Sequence, residues 1–345
     1  MSFSITIEPS GLQFNMQRDE TILSAAIHAN IGLPYGCKDG ACGSCKCRLV
    51  EGRVIHGAHQ AKALSATEEA QGWILTCCAT PQTDLLIESR QVVSAGDFAI
   101  MKMPTRVISR TLLAPDVMQL SLQIPATSSF GFRAGQYIEF ILKDGSRRSY
   151  SMANAPHTLR DPQAGGLELH LRHMPGGKFT DHVFLAMQDK EILRAEGPFG
   201  TFFLREESSK PIIFLASGTG LAPIKSMIED MRHKGIERPT TVYWGGRRPI
   251  DLYLHDWLSQ ACSELPWLGY VPVLSNHLPN DNWQGRIGFV HQAVLDDLPD
   301  LSGHEVYACG APVMVHAAQH DFVEKAGLEA DAFYADAFTT EADKH

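Results

Sequence analysis

Six of the eight cysteines in this 345-residue chain lie within its first 78 residues: Cys37, Cys42, Cys45, Cys47, Cys77 and Cys78. Only Cys262 and Cys309 lie beyond. Three of the six stand in Tyr35-Gly36-Cys37-Lys38-Asp39-Gly40-Ala41-Cys42-Gly43-Ser44-Cys45, a C-x4-C-x2-C spacing, and another follows in Leu75-Thr76-Cys77. The opening MSFSITIEPSG has no basic segment leading into an apolar one, so no secretory signal is expected and the chain is read as cytoplasmic. In that compartment clustered thiols are metal ligands or reactive groups rather than a disulfide framework. A structural zinc site usually brings two C-x2-C pairs, and here there is one.

The spacing fits the plant-type pattern in which four thiolates hold a [2Fe–2S] cluster. Gly36, Gly40 and Gly43 let the backbone turn its N–H groups toward the sulfurs, which stabilises the charge of the reduced cluster. Spacing alone does not choose between Cys77 and Cys78. The resemblance to plant-type ferredoxins, whose last ligand follows Leu-Thr, implies the set Cys37, Cys42, Cys45 and Cys77. Cys47, two residues past a ligand on an expected strand, reads as packing.

The chain is long enough for two or three cores. Its net charge of −9, from 30 basic and 39 acidic residues, comes without a Lys/Arg cluster, which argues against a nucleic-acid or anionic-membrane surface. No run approaches the roughly 18 apolar residues of a membrane span. Alternation marks strands at 4–7, 12–14, 46–50 and 84–87, with a short helix at 21–30. Residues 92–104 lack periodicity and read as a linker. From 105 to 205 short strands at 117–124, 137–142 and 167–172 have the rhythm of a small antiparallel barrel. After Lys210, apolar strands at 211–216, 240–244, 270–274 and 305–308 alternate with helices at 223–233 and 313–326, an α/β pattern with a parallel sheet. The expected domains are 1–94, a linker at 95–104, 105–207 and 208–345.

Arg147-Arg148-Ser149-Tyr150-Ser151 follows a strand and offers cations, hydroxyls and an aromatic to a planar, phosphate-bearing ligand. Arg148-x-Tyr150-Ser151, with Ala153 and Asn154 after it, resembles the R-x-Y-S stretch of the ferredoxin–NADP reductase superfamily. The resemblance implies FAD, with Arg148 on a phosphate, Tyr150 against the isoalloxazine and Ser151 close to its N5. Arg172-His173-Met174-Pro175-Gly176-Gly177-Lys178-Phe179-Thr180 resembles the second flavin signature of the family. There the glycines bring backbone N–H groups to the pyrophosphate and Thr180 adds a hydroxyl. Gly197-Pro198-Phe199-Gly200 resembles the turn that closes the barrel and reads as structural.

Strand 212–216 runs into Ser217-Gly218-Thr219-Gly220-Leu221-Ala222-Pro223 and a helix, a cradle for a pyrophosphate. The third glycine of a Rossmann fingerprint is replaced by Pro223, and the G-T-G-x-A-P form again resembles the reductase superfamily. The next strand ends Tyr243-Trp244-Gly245-Gly246-Arg247-Arg248, with no carboxylate for an adenosine 2′-hydroxyl; Arg247 or Arg248 could meet a 2′-phosphate, while a rim arginine pair is as often simply solvated. Cys309-Gly310-Ala311-Pro312 resembles the family C-G-x-P, which implies Cys309 beside the nicotinamide. Read alone, Cys309 is a small buried residue.

The order of segments resembles the single-chain reductases of multicomponent oxygenases, and the stretches 148–156 and 210–253 resemble proteins called CDP-6-deoxy-Δ3,4-glucoseen reductase. A β-grasp [2Fe–2S] ferredoxin domain, an antiparallel FAD-binding barrel and a parallel α/β NAD(P) domain are therefore expected. Hydride would pass from NADH, with NADPH tolerated, to FAD, and single electrons to the cluster and on to a protein acceptor such as an oxygenase, hydroxylase or dehydrase component. Ser151 and Cys309 are the expected catalytic pair. The alternative is a self-contained flavin or ferric reductase, which leaves residues 1–94 without purpose.

Overall fold

A computed structural model describes residues 2–94, 98–161 and 165–339. They divide into two compact units, one of 2–94 with Gly200–Phe202 and 335–339, the other of Phe98–Phe199 with Phe203–Tyr334. Of the expected linker, residues 95–97 lie outside the described residues, as do the extreme ends of the first and last expected domains.

The first unit holds a five-stranded sheet. β1 (Ser2–Glu8) and β2 (Leu12–Gln17) form an antiparallel hairpin, with Ile5 and Ile7 of β1 and Phe14 and Met16 of β2 buried. Helix α1 (Ile22–His28) starts at Thr21, whose hydroxyl accepts the Ser24 N–H, and buries Ile22, Leu23, Ala25 and Ala26. Then come β3 (Lys46–Glu51), the short helix α2 (Ala66–Ala70) with a Ser65–Glu68 capping box, β4 (Trp73–Leu75) and β5 (Leu85–Glu88). The sheet order is β2-β1-β5-β3-β4, with β5 parallel to β1 and the other pairings antiparallel. A first and last strand lying parallel at the centre, with a helix packed across, is the β-grasp arrangement expected.

The second unit opens with an antiparallel sheet of β6 (Met101–Ala114), β7 (Val117–Gln123), β8 (Tyr137–Ile141), β9 (Arg147–Ser151), β10 (Leu167–Arg172) and β11 (Ile192–Phe199). β6 begins at Met101 and pairs Pro104 with Arg194, so 101–104 belong to the sheet and not to a connection. The order is β9-β8-β11-β6-β7-β10, and an antiparallel bridge from Met152 to Leu169 joins the two ends into a barrel. Leu120, Leu122, Ile138, Phe140, Leu167, Leu169 and Leu171 fill its interior.

The same unit continues with β12 (Ile212–Ser217), α3 (Leu221–Lys234), β13 (Thr240–Gly246), α4 (His255–Glu264), β14 (Leu268–Leu274), β15 (Arg286–Ile287), α5 (Val290–Asp297), β16 (Glu305–Gly310), α6 (Pro312–Ala326) and the start of β17 (Phe333–Ala337). The sheet order is β15-β14-β13-β12-β16-β17, parallel from β15 to β16. The chain winds outward from β12 toward β13 and then returns to β16 on the opposite side. The switch point therefore lies between the C-terminal ends of β12 and β16, where sheets of this kind bind their ligands.

Leu169 is fully buried in the barrel. Leu169→Ala should cost about 2–5 kcal/mol, read as a lowered urea midpoint.

Candidate functional site: a cysteine cradle and a barrel–sheet seam

In the first unit the loop before β3 delivers three thiols and the turn after β4 delivers the fourth. Cys37 and Cys42 reach across to each other: Cys37 N–H donates to Cys42 Sγ at 3.4 Å, and Cys42 N–H to Cys37 Sγ at 3.3 Å. Ser44 N–H adds a bond to Cys42 Sγ at 3.5 Å. Cys45 Sγ lies 3.2 Å from Cys77 Sγ, deep in the unit. Four sulfurs in two pairs, with backbone donors aimed at them, fit a two-iron cluster, in which each iron takes two thiolates. Gly40 and Gly43 both have φ near +79°, the backbone sign that lets the loop wrap without a Cβ penalty. Cys78 is half-buried with its Sγ 3.5 Å from that of Cys77. Cys47 is buried within the sheet, as expected of a packing residue, and burial pushes its thiol up. Tyr35 is buried too, and its hydroxyl accepts the Gly200 N–H at 2.8 Å.

In the second unit the site grows from the alternation of β10, Leu-Glu-Leu-His-Leu-Arg. Leu167, Leu169 and Leu171 enter the barrel core, so Glu168, His170 and Arg172 share the outer face. That face meets the α/β layer. Lys225 of α3 pairs with Glu168 at 3.2 Å and Glu229 at 2.7 Å, and donates to the Ala153 carbonyl at 3.2 Å. Ser226 Oγ donates to the Asn154 carbonyl at 2.7 Å. His170, fully enclosed, lies 2.9 Å from Glu168 through Nε2 and 3.0 Å from the Tyr253 hydroxyl through Nδ1. An ionised Glu168 only accepts, so Nε2 carries the proton and Nδ1 accepts from Tyr253.

Burial keeps the His170 imidazole below its usual range and pushes the Tyr253 hydroxyl up. Burial also works against the Glu168 charge, but the His170 hydrogen bond and the Lys225 charge outweigh it and hold the carboxyl at about 2.

The seam continues into the dinucleotide turn. Tyr253 stands edge-on to Trp244, whose Nε1–H donates to the Gly218 carbonyl at 3.1 Å. A Cβ on Gly220 would come within 2.2 Å of the Cys309 carbonyl oxygen, so only glycine lets the ends of β12 and β16 approach this closely. Cys309 itself is fully buried there, and Ser217 Oγ accepts the Ala311 N–H at 2.9 Å. Arg172 is 3.3 Å from Asp116 and 3.5 Å from Asp251 through Nη1. Its Nε and Nη2 are shielded from water without a hydrogen-bond partner, and its guanidinium lies over Gly218. Shielded, unsatisfied donors above a glycine turn at a helix start fit an anionic group of a dinucleotide.

The flavin-segment residues divide. Arg148 and Tyr150 share one face of β9, and Tyr150 lies with Phe179 at a ring separation of 5.5 Å. Phe179 is in the barrel core, 4.7 Å from Phe140, and so backs Tyr150 from inside. Ser149 Oγ donates to Glu139 at 3.4 Å, and Ser151 is buried at the end of the strand. Asn154 spends its amide on Thr158, the Gly166 carbonyl and the Glu168 N–H, bracing the chain beside β10. Thr180 Oγ1 bonds within its own turn to the Met174 carbonyl, and Gly176 N–H donates to Asp181. Gly177 caps that turn, and Lys178 pairs on the surface with Asp144. Pro223 is buried in α3, Pro312 starts α6, and Gly310 packs on Ser217. Arg247 is exposed, whereas Arg248 is held by Asp281. No local sequence signal singles out Lys225, Asp251, Tyr253 or Asp281, and Glu168 and His170 carry only a faint one, the Leu alternation of 167–172.

A carboxyl depressed on folding contributes stability that is complete above its unfolded value and fades as pH falls toward the folded one. Glu168 goes from an ordinary 4.5 to about 2. The melting temperature of the wild type should thus fall more steeply with acidification than that of Glu168→Gln, between about pH 5 and pH 3.

Comparison with known proteins agrees with these parts. Residues 5–82 match the 2Fe-2S iron-sulfur cluster binding domain, 104–204 the oxidoreductase FAD-binding domain and 214–320 the oxidoreductase NAD-binding domain. The chain is 41% identical over 340 residues to the CDP-6-deoxy-L-threo-D-glycero-4-hexulose-3-dehydrase reductase of Yersinia pestis, covering 98% of this chain and 99% of that one. It is 34% identical to terephthalate 1,2-dioxygenase reductase component 2 of Comamonas sp, covering 99% and 98%. The crystal structure of the Amycolatopsis cytochrome P450 reductase superposes with a TM-score of 0.77 at 29% identity, over 98% of this chain and 99% of that one. This chain belongs to the ferredoxin-fused branch of the ferredoxin–NADP reductase superfamily and is an NAD(P)H-dependent flavin iron–sulfur oxidoreductase.

Proposed function

We propose that this chain takes hydride chiefly from NADH and supplies single electrons to an oxygenase, hydroxylase or dehydrase component. The observation that carries the reading is the pairing of Cys37 with Cys42 and of Cys45 with Cys77, on a chain that also builds a barrel–sheet seam around a dinucleotide turn. The names of the Yersinia and Comamonas relatives, reductases of a dehydrase and of a dioxygenase, support this class of acceptor. Bound FAD supplies a two-electron hydride acceptor, and the cluster a one-electron carrier.

In this reading the four cysteines hold the cluster and Arg148 meets a flavin phosphate. Tyr150, stiffened by Phe179, lies along the flavin ring, with Ser151 and Ser149 at its edge. Asn154 and Thr180 fix the loops around the flavin, and Gly176, Gly177 and Lys178 border its pyrophosphate. Gly218, Thr219 and Gly220 receive the pyrophosphate of the nicotinamide dinucleotide, with the unsatisfied Arg172 donors above them. Cys309, Gly310 and Pro312 bound the nicotinamide end. The domains are taken as 1–94, 101–207, which includes the start of β6, and 208–345. A cytoplasmic setting suits free, closely paired thiols, and no helix among the described residues is long and apolar enough to cross a membrane. The net charge of −9 speaks against a nucleic-acid partner.

Acceptor docking should be only modestly electrostatic. Lys46, one of three charges in the cluster loop, is already paired with Glu68 at 2.5 Å. Tyr35 is turned inward, so it adds no apolar edge to the rim of that loop.

Two sets of variants test the reading. Ser151→Ala and Cys309→Ala should slow anaerobic flavin reduction by NADH at least tenfold while changing dinucleotide affinity much less, because they set ring-to-ring geometry. Wild-type stopped-flow rates would remove both from the site. Cys42→Ser should still reduce ferricyanide but lose cytochrome c reduction and support of the protein acceptor. Wild-type cytochrome c turnover in that variant would transfer the exit to the flavin.

A further inference from the structure

The end of β13 offers two arginines, and the nearby Asp251 accepts their backbone N–H groups without pairing the Arg248 guanidinium with a carboxylate. The fold supplies one from 33 residues on. Asp281, in the turn Pro279–Asp281 beyond β14, engages Arg248 through a fork: Nε to Oδ2 at 2.8 Å and Nη2 to Oδ1 at 2.5 Å. Its carboxylate is aimed by the Leu278 N–H at 2.7 Å, and the Arg248 hydrogen bonds hold its pKa below the usual range.

Arg247 has a different environment. Its side chain is 73% exposed, and its Nε approaches only Asp251, at 3.9 Å. Asp251 Oδ2 accepts the backbone N–H groups of Arg247 and Arg248, and its other oxygen faces Arg172. With Arg172 and its second partner Asp116 included, the strand end therefore carries three guanidiniums and three carboxylates. An extra adenosine 2′-phosphate would bring a charge of about −1.5 to −2 to a corner with no net positive charge. It would also meet an arginine whose Nε/Nη2 edge is already taken.

We propose that Asp281 determines the dinucleotide preference of this chain. By occupying the fork edge of Arg248 and adding its own negative charge, it disfavours a 2′-phosphate and leaves the unphosphorylated ribose as the better fit. Specificity here is a repulsive and competitive device as much as an attractive one. Asp281 does through space what the acidic residue about twenty positions beyond the glycine turn does in other dinucleotide folds. The proposal rests on the reading of this strand end as the adenosine-ribose site.

The test is Asp281→Asn in the full-length holoenzyme. It keeps the side-chain volume and an acceptor for Leu278 N–H but removes the charge. Calorimetry would compare ADP-ribose with 2′-phospho-ADP-ribose, and steady-state kinetics would compare NADH with NADPH. The proposal predicts that Asp281→Asn shifts both ratios toward the phosphorylated form at least tenfold, and that adding Arg248→Ala abolishes the shift. If Arg247→Ala weakens ADP-ribose binding but Asp281→Asn leaves the two ratios at their wild-type values, the proposal fails while the site reading stands. If Arg247→Ala, Arg248→Ala and Asp281→Asn all leave both ligands bound as in wild type, the strand end is not the adenosine site and both fail.

Discussion

The outer face of one barrel strand holds the catalytic unit together. Residues 167–172 alternate so that three leucines anchor the barrel while Glu168, His170 and Arg172 are presented to the α/β layer. A barrel and a parallel sheet with separate apolar cores would otherwise be free to move relative to each other. Here the enclosed Lys225–Glu168 pair and the His170–Tyr253 hydrogen bond fix their register. Such groups are costly to bury and are tolerated only when fully partnered, so the two layers meet in one arrangement or lose those bonds. That arrangement brings the Gly218 turn, Cys309 and the β9 end carrying Tyr150 and Ser151 into one unit.

The cysteine cradle follows a different logic. Its precision comes from backbone geometry, with left-handed glycines at 40 and 43 and N–H groups turned inward toward sulfur. The β-grasp sheet and α1 provide the apolar core against which the loop is held.

Much of this was legible in the sequence because it is local. Cysteine spacing, the Gly218–Pro223 turn and the strand alternations at 4–7, 117–124 and 212–216 are properties of neighbouring residues, and each lies where expected. What was not legible depends on pairings across the fold. Glu168 finds Lys225 57 positions away, and Arg248 finds Asp281 33 positions away, only because sheet topology brings them together. The resemblance brings Asn154 and Thr180 to the flavin segments, and only the fold shows their polar groups bonding within their own loops. Residues 101–104 read as linker because Pro104 ends the apparent pattern, yet they open β6, where Pro104 pairs with Arg194 on one side only, so its missing N–H is tolerated.

The central claim is that one chain gathers the electrons of a nicotinamide and passes them to its own iron–sulfur cluster. Anaerobic titration of the purified holoenzyme with NADH, followed by absorbance and by low-temperature paramagnetic resonance, addresses it directly. A flavin accepting two electrons and a cluster accepting one predict uptake of about three electrons per chain, together with the signal of a reduced [2Fe–2S] cluster. Uptake of only two electrons, with the cluster remaining oxidised and silent, would contradict the account.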